Sequence, residues 1–424
     1  MKNEILANLD TPRVLEKLYR EDKPAFRREF NALYPEITDT RLADFWYERL
    51  NYAAEKTFPF KQGELVFVVV ATLLAGIGVK LPEIFPIDEI SFHPKNMGFL
   101  VFPFLAAYFA WKNKLSGIKI AIIAGVMGLS MLFINLLPGA LFGGAQNNNA
   151  PLSDTLVLSC MHLLLFLWAT TGFAFVGGQS GSFKKRLGYL SYNGDLLVMS
   201  ALLLISSGIL TGLTIGLFSL IGYNIAEFYF QYIVVCGLPA VPIVGTVLTQ
   251  NIPELVQKVS PIIARIFSPL VLVTLLVYLG AIVFSGKDPY NDREFLLIFN
   301  ILLIGVMALI FFSVAERAKT SAHRYEIMVL LLLSVVTILV NSIALSAIVF
   351  RISEWGFTPN RTAVLGANIL ILTNLLLVTQ KLVKVLTRDA DLTEVGKSIA
   401  AFLPVYWGWT AVVTFLFPFV FGFK

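Results

Sequence analysis

The segment with the greatest concentration of chemically capable side chains is RISEWGFTPNR, residues 351–361, which separates two long apolar runs. Its candidates are Arg351, Glu354, Asn360 and Arg361. Guanidinium and amide groups donate hydrogen bonds to phosphate or carboxylate oxygens, so these residues could bind an anionic substrate. Arg351 and Glu354 are also close enough to pair with each other. The sequence predicts no catalytic residue.

The same segment has a purely structural interpretation. Gly356 permits a turn, Thr358 can cap the following helix, and Pro359 fits the first turn of that helix. Trp355 suits the boundary between hydrocarbon and water. Cap, turn and interface anchor explain most of these residues without any ligand, and the sequence leaves both interpretations open.

Two prolines interrupt another apolar run, GLPAVPIVG at residues 237–245. Pro239 and Pro242 each remove a backbone N–H donor, so the helix should kink or unwind there. Carbonyl groups released at membrane depth are tolerated only where they are buried in protein or line a cavity. The break is therefore a candidate substrate-binding site on a pathway. A helix that is only kinked and satisfied by its neighbours is the alternative.

His162 is a further candidate, because it is an ionisable residue in an otherwise apolar run. A neutral histidine bonded to a neighbouring helix is the alternative, since no carboxylate or second ligand lies three or four residues away. Acidic residues and His93 in the segment 81–96 match no recurrent metal-ligand spacing. The sequence thus predicts no metal site and no cofactor.

A basic triplet, Lys184, Lys185 and Arg186, follows a glycine-rich loop at residues 177–182. The order of residues differs from the phosphate-binding G-x-x-x-x-G-K-[ST] motif. We expect the triplet to meet anionic lipid headgroups at the cytoplasmic face. No feature of the chain predicts a nucleic-acid partner.

The composition places these candidates in an integral membrane protein with the lipid bilayer as its surroundings. The 424 residues are 57% hydrophobic and 14% charged, with a mean hydropathy of +0.75. The sequence predicts an all-α polytopic transmembrane helix bundle with about 11 spans, of which the first two are short. The apolar windows are 65–79, 97–111, 117–136, 155–176, 196–218, 229–248, 266–285, 295–313, 325–350, 362–380 and 398–423.

Residues 1–63 carry both signs of charge and short helical patterns, unlike the transmembrane domain predicted at 64–424. We predict a small cytoplasmic helical cap, and a module that binds a protein partner is the alternative. Residues 249–266 predict an amphipathic helix in the cytoplasmic interface, which Pro261 could divide from the next span. The residues predicted to share one face of the third cap helix are Leu42, Phe45, Trp46, Leu50 and Ala53.

Two patterns predict contacts between spans. Gly208, Gly212 and Gly216 recur every fourth residue, which would let another helix backbone approach closely. Asn341 and Asn368 lie at similar depths if the segment 351–361 makes the flanking helices antiparallel neighbours. We expect both asparagine side chains to face the bundle and to hydrogen-bond.

The distribution of charge predicts the orientation. Most of the 33 Lys and Arg residues fall in segments on the same side as the N-terminus, and omitting the N-terminal tail leaves the direction unchanged. The positive-inside rule therefore predicts a cytoplasmic N-terminus and an external C-terminus in a multi-pass membrane protein.

Several C-terminal motifs resemble the bacterial membrane family called domain of unknown function 4153. They are Arg351 to Arg361, Asn251-Ile-Pro-Glu-Leu255, and Phe267-Ser-Pro-Leu270 through Leu279. The family more often has Tyr-Gly-Leu-Thr at the first of these, so Trp355 and Phe357 are conservative departures. The resemblance implies a bacterial inner-membrane location and carries no mechanism.

Three classes of function remain open. A permease-like, small-molecule-binding or lipid-binding transmembrane protein fits the many spans and the interrupted sixth window, although the windows hold almost no acidic or basic side chain for a proton relay. An enzyme acting on a lipid-linked substrate could use Asp88, Glu89 or Glu354 at the outer face. A non-catalytic scaffold or sensor would act through residues 1–63. We favour the first, non-enzymatic class.

Overall fold

The computed structural model describes residues 2–37, 41–51, 62–85, 87–138, 152–257, 259–285, 290, 293–317, 324–388 and 391–423. The chain divides into two compact units, Met1–Gln62 and Gly63–Lys424, a boundary one residue from the predicted one. The regular elements described in both units are helices. The predicted all-α fold is confirmed.

The N-terminal unit has its own apolar core. Trp46 and Leu50 are buried in it as predicted, but Phe45 is 58% exposed. Ala43 takes its place, because positions 43, 46 and 50 share one helical face and position 45 does not. Residues 38–40 and Ala53 lie outside the described residues. The helices are α1 Lys2–Ala7, α2 Pro12–Glu21, α3 Lys23–Leu33 and α4 Arg41–Asn51, with a 3-10 turn at Tyr34–Glu36.

The membrane unit is built from helices because a backbone in hydrocarbon must satisfy its own hydrogen bonds. Short 3-10 or π segments occur at Met97–Leu100, Tyr229–Val234 and Val412–Leu416. The α-helices are α5 Gln62–Val79, α6 Leu81–Ile84, α7 Glu89–Asn96, α8 Phe102–Lys112, α9 Gly117–Leu136, α10 Asp154–Phe175, α11 Phe183–Leu220, α12 Ala226–Phe228, α13 Val235–Gly237, α14 Ala240–Asn251, α15 Glu254–Gln257, α16 Val259–Ser285, α17 Arg293–Arg317, α18 Arg324–Trp355, α19 Pro359–Arg388, α20 Thr393–Ala411 and α21 Phe417–Val420.

Nine helices in the described part of the chain are long and apolar enough to cross a membrane, and a bent pair could supply a tenth crossing. The chain is thus a multi-pass membrane protein, and its described helices supply nine or ten crossings where the sequence predicted about 11. The difference lies at the window 97–111, where a 3-10 turn precedes α8, which has 11 residues. A helix of that length reaches only about 16 Å, roughly half of the hydrocarbon core.

The glycine pattern in α11 does not bring two helices together. An added Cβ atom at Gly208, Gly212 or Gly216 would meet no heavy atom of the described chain within 4 Å. This half of α11 lies on the surface of the membrane unit, where Ile205 and Ile209 are more than 60% exposed. The predicted close approach is therefore wrong within one chain.

The antiparallel hairpin α18–α19 packs as the asparagine pattern predicts. Asn341 and Asn368 are both buried, so their side chains face the bundle rather than lipid. The Asn341 amide nitrogen donates a 3.1 Å hydrogen bond to the main-chain oxygen of Asn368 instead of its side chain. A helical carbonyl can accept this second bond because it has two lone pairs. Farther along the interface, the Thr379 hydroxyl donates to Ser334, 2.9 Å away.

The amphipathic stretch 249–266 is distributed over three helices. α14 ends at Asn251, α15 forms a single turn, and α16 begins at Val259 and runs through Pro261. Proline is tolerated in the first turn of a helix, where its missing donor is not required. The stretch is therefore a short connection followed by the start of a long apolar helix.

Candidate functional site

The segment 351–361 joins α18 to α19 by the predicted turn and cap. Gly356 adopts a positive φ of 75°, which ends α18 and favours glycine. The Thr358 hydroxyl accepts a hydrogen bond from the Arg361 backbone N–H at 3.3 Å, and Pro359 begins α19. We call residues 351–361 the hinge. Its turn and its helix cap are explained by these local contacts.

Two arginine side chains of the hinge meet at one indole ring. The guanidinium carbons of Arg351 and Arg361 lie 5.4 and 5.6 Å from the Trp355 ring centroid. Arg361 also donates from Nη1 to the main-chain oxygens of Trp355 at 3.0 Å and Gly356 at 2.8 Å. Glu354 is exposed and forms no ion pair with Arg351 in the described structure. The hinge therefore groups the two cations and leaves the predicted carboxylate apart.

Two further polar candidates, Asn360 and Asp88, have structural partners. Asn360 donates a 2.7 Å hydrogen bond to the Asp154 carboxylate at the start of α10. Asp88 caps α7, accepting from the backbone N–H groups of Ile90 and Ser91. These contacts account for Asn360 and Asp88 without a substrate.

His162 points its Nδ1 atom at the carbonyl oxygen of Leu158 in its own helix, 2.9 Å away. Within the described residues, no three His, Cys, Asp or Glu side chains form a group that could hold a metal ion. The structure thus gives His162 a local hydrogen bond and no neighbouring ligand set.

Pro239 and Pro242 lie at a real break. The segments Ala226–Gly237 and Ala240–Asn251 are bent by 46° around it. Proline at 242 cannot bond the Leu238 carbonyl, which instead accepts from the Val241 N–H at 3.2 Å. The preceding turn packs on α5, where an added Cβ at Gly76 would lie 3.3 Å from the Cys236 Cβ. The helix is broken and held against α5.

Hydroxyl groups follow the broken helix toward one end of the bundle. The Thr246 hydroxyl donates to the Pro242 carbonyl at 2.7 Å, and the Tyr192 hydroxyl lies 2.7 Å from Thr246. Tyr192 and Thr246 are buried. This polar contact joins α11 to α14 four residues after Pro242, a connection that the sequence did not predict.

Charged groups lie where α5, α8 and α14 meet. The Tyr108 hydroxyl donates to the buried Glu64 carboxylate at 3.3 Å. The Lys112 amine contacts the Tyr108 hydroxyl at 3.2 Å and donates to the Gln250 carbonyl at 3.3 Å. We call this end of the membrane unit, where α10 finishes and α11 begins, the basic end. It meets the broken helix at the last turn of α14, through the bond from Lys112 to Gln250.

Further buried charges of the basic end connect other helices. Ser191 of α11 hydrogen-bonds the buried carboxylate of Glu316 in α17. Arg265 of α16 pairs with Glu326 of α18 at 2.8 Å. The sequence missed these contacts because the apolar windows stop short of the helix ends. The signal that could have revealed them is the helical pattern that continues in the sequence beyond each apolar window.

One buried cation lies near the hinge end. The Lys95 amine donates to the carbonyl of Leu137, which ends α9, at 2.8 Å. Burial lowers the pKa of this amine. Beside it, Asn96 and Asn135 exchange two amide hydrogen bonds of 2.9 Å. Lys95 therefore stabilises a helix C-terminus, where positive charge is favourable.

An apolar groove of ≈ 390 Å³ lies between α5 and α8. Such a volume falls in the range of small-ligand sites. Its lining is formed by Gly63, Val66, Phe67, Val70, Ala71, Leu74, Phe104 and Trp111.

Fold and site together define an all-α, multi-pass integral membrane protein with a broken helix. Comparison with family models, with curated proteins and with solved structures finds no significant match to this chain. The resemblance to the family called domain of unknown function 4153 stays a prediction.

Proposed function

We propose that the chain is a permease-like or small-molecule-binding transmembrane protein whose ligand binds beside the break between α13 and α14. The observation that carries this proposal is the 46° bend at Pro239, followed one turn beyond Pro242 by the buried hydroxyl groups of Thr246 and Tyr192. Broken helices are a recurrent way to present backbone dipoles to a substrate within a membrane. Ionisable groups that a ligand could contact lie at the basic end, beyond the apolar windows of the spans.

The apolar groove beside α5 supports lipid binding as the closest variant of this proposal. α5, α8 and α14 share one apolar cluster, in which Ala71, Leu105 and Ile243 are buried. A ligand in the groove would therefore lie one helix away from the break. Orientation with the N-terminus in the cytoplasm and location in a bacterial inner membrane belong to the same proposal.

The test is the double substitution Pro239→Ala with Pro242→Ala, which restores two backbone donors and should straighten the helix. Thermal unfolding of purified protein is measured against a panel of amino acids, sugars, short carboxylates, phosphatidylglycerol and a polyprenyl phosphate. Compounds that stabilise the wild type are then tested for flux in proteoliposomes. We expect the double variant to fold and to lose the ligand-dependent stabilisation.

Pro269→Ala is the matched control, because Pro269 lies inside the continuous helix α16. It should retain the response of the wild type. Equal ligand responses in the double variant and the wild type would contradict the proposal, and a large loss of membrane yield in the double variant alone would assign the prolines to packing.

A further inference from the structure

Three asparagines and one tyrosine lie inside the bundle, midway along its membrane-spanning helices. Asn341 belongs to α18, Asn368 and Asn374 belong to α19, and Tyr406 belongs to α20. We call these four residues the polar seam. Asn368 and Asn374 each lie three residues from Ile371, the midpoint of the apolar window 362–380. That separation is only about 4.5 Å along the helix, so the polar seam lies close to the centre of the window.

The amide groups of the polar seam are buried, and each keeps an atom without a partner. Asn341, Asn368 and Asn374 are at most 1% exposed. Asn341 donates to the Asn368 carbonyl at 3.1 Å, and Asn374 donates to the Tyr406 hydroxyl at 3.0 Å. The Oδ1 atoms of Asn341 and Asn374 and the Nδ2 atom of Asn368 have no hydrogen-bond partner among the described residues. Polar atoms left unpaired in an apolar interior raise the free energy of the folded state.

A rotation of these amides does not remove the unpaired atoms. Turning the Asn374 amide by 180° would place its oxygen against the Tyr406 hydroxyl and leave its nitrogen unpaired instead. Turning the Asn341 amide would place its oxygen against the Asn368 carbonyl, and two acceptors cannot bond each other. In either orientation the polar seam therefore needs a further hydrogen-bonding molecule.

The unpaired atoms define the chemistry of that molecule. The oxygens of Asn341 and Asn374 accept hydrogen bonds, whereas the Asn368 nitrogen donates them. A metal cation would suit the two oxygens, but it would be repelled by the amide N–H groups. Water donates two hydrogen bonds, accepts others and is small enough for a packed interface between helices. Buried water in proteins bonds polar groups that lack another partner.

We propose that the polar seam binds internal water molecules, which link α18, α19 and α20 near the centre of the membrane unit. Water accepts from Asn368 Nδ2 and donates to the Oδ1 atoms of Asn341 and Asn374. These molecules complete the hydrogen bonds of the amides at a depth where the apolar windows hold almost no charged side chain. The polar seam does not include the broken helix, so this proposal stands or falls independently of the proposed function.

The experiment is hydroxyl-radical footprinting by pulsed X-rays, read by mass spectrometry of oxidised methionine. Radicals formed from bound water oxidise the side chains beside it before they can diffuse away. Ile371→Met places a thioether one helical turn from both Asn368 and Asn374, at a position that is 3% exposed. This exchange nearly conserves side-chain volume and leaves the polar seam intact.

Leu382→Met is the matched control, because Leu382 is fully buried in the same helix. We expect the thioether at position 371 to be oxidised at least about threefold faster than the one at position 382, since only the first has bound water beside it. Position 382 lies beyond the end of the apolar window and nearer to bulk water, so access from outside would give the opposite order. Equal rates at the two positions would overturn the proposal.

Asn374→Leu in the Ile371→Met background tests the polar seam itself. Leucine needs no hydrogen bond and has a similar volume, so the variant should fold, and oxidation at position 371 should fall toward the rate at position 382. Asn135→Leu in the same background is the control, because Asn135 already exchanges two amide bonds of 2.9 Å with Asn96. Oxidation at position 371 that is unchanged by Asn374→Leu, or that falls equally in both variants, would contradict the proposal.

Native methionines provide a second measurement that needs no substitution and so covers variants that do not fold. The half-buried Met307 accepts a hydrogen bond from the Tyr406 hydroxyl at 3.4 Å, whereas Met131 on the apolar helix α9 is 44% exposed. Water in the polar seam should make Met307 the faster of the two to be oxidised, although it is the less exposed. Equal or faster oxidation of Met131 in the wild type would show that the polar seam holds no water.

Discussion

The two halves of α11 belong to one continuous helix of 38 residues but have opposite surroundings. In the half near the basic end, Tyr189, Ser191 and Tyr192 are buried among other helices. In the other half, Leu213 and Leu217 are at least 60% exposed. Apolar and polar residues are mixed in the first half, whereas the second half is almost entirely apolar. Apolarity along this helix therefore marks the surface that faces lipid, and polarity marks protein contact.

Glycine shows the same contrast. The regular pattern Gly208, Gly212 and Gly216 has open space around each position, whereas the isolated Gly194 lies so close to Phe312 of α17 that an added Cβ would overlap the ring. A repeat of small residues makes a close approach feasible, but it does not supply the partner. Only the three-dimensional structure shows which glycine the packing requires.

The length of α11 explains how one helix contacts other helices in one half and faces lipid in the other half. Thirty-eight residues span about 57 Å, nearly twice the hydrocarbon thickness of about 30 Å. The apolar window 196–218 fits the membrane, so residues 183–195 extend the bundle beyond it. Buried groups such as Glu316 and Glu326 are then tolerated because they lie toward the membrane boundary, where water and hydrogen-bonding partners are available.

The largest expected effect comes from the two kinds of glycine. Gly194→Ala should lower the free energy of unfolding by about 1–3 kcal/mol, because the methyl group overlaps the Phe312 ring. Gly212→Ala should leave it unchanged or raise it by up to about 1 kcal/mol, because alanine is the better helix former and the site is open. Unfolding in detergent by a denaturant titration measures both.

The prediction is most specific in its signs: Gly194→Ala should lower the free energy of unfolding and Gly212→Ala should not. If Gly212→Ala destabilised the protein as much as Gly194→Ala does, the outer half of α11 would have a partner in detergent and the comparison would fail. Phe312→Leu combined with Gly194→Ala should recover part of the loss, since the substitutions act on one contact.

A smaller effect is expected for hydroxyl groups in the two halves. Tyr192→Phe removes a buried hydrogen bond to Thr246 and should reduce the free energy of unfolding by about 0.5–1.5 kcal/mol. Thr214→Val removes a hydroxyl that bonds only Leu210 of its own helix, so a change within about 0.5 kcal/mol is expected. Thermal unfolding of the two variants side by side would contradict the comparison if Thr214→Val were the more damaging.

The sequence predicted the fold class because long apolar blocks can satisfy their backbone in lipid only as helices. It predicted the α18–α19 hairpin well, because Gly356 forms the turn and Thr358 forms the helix cap through contacts with residues close in sequence. It did not predict where helices end. Leu190, Ser191 and Tyr192 lie in a polar stretch that resembles a loop, and only contacts with distant helices make that stretch a buried helix.

The candidate site was predictable to a similar degree. Pro239 and Pro242 do break their helix, because a missing donor acts locally. The contact between Tyr192 and Thr246, which lies four residues after Pro242, was not predictable, since Tyr192 is far away in sequence. At the hinge, the pairing of Arg351 with Glu354 was suggested by sequence proximity alone, whereas the indole of Trp355 is the contact that both arginines share.

The smallest expected effect concerns an exposed charge beside the packed half of α11. α20 supports that half, since Arg186 donates to its Ala400 carbonyl, and Asp391 lies just before α20. The Asp391 carboxylate accepts from the backbone N–H of Thr393 at 3.0 Å and from its hydroxyl at 2.7 Å. The backbone bond first, and the hydroxyl second, lower the pKa of Asp391 below its ordinary value of 3.8.

Because the folded pKa is the lower one, this carboxylate contributes stability that is fully present above pH 3.8 and is lost as the pH falls through the folded pKa. Asp391→Asn keeps a cap but cannot titrate, so it should flatten the fall in thermal stability below that pH and change little at neutral pH. Asp391 is fully exposed, so solvent screening keeps its effect on the free energy of unfolding small. We expect it to be smaller than the effect of the Gly194–Phe312 contact or of the Tyr192–Thr246 hydrogen bond. An Asp391→Asn variant that lost as much stability at neutral pH as Gly194→Ala would show that surface charge, rather than close packing, holds α20 against the packed half of α11.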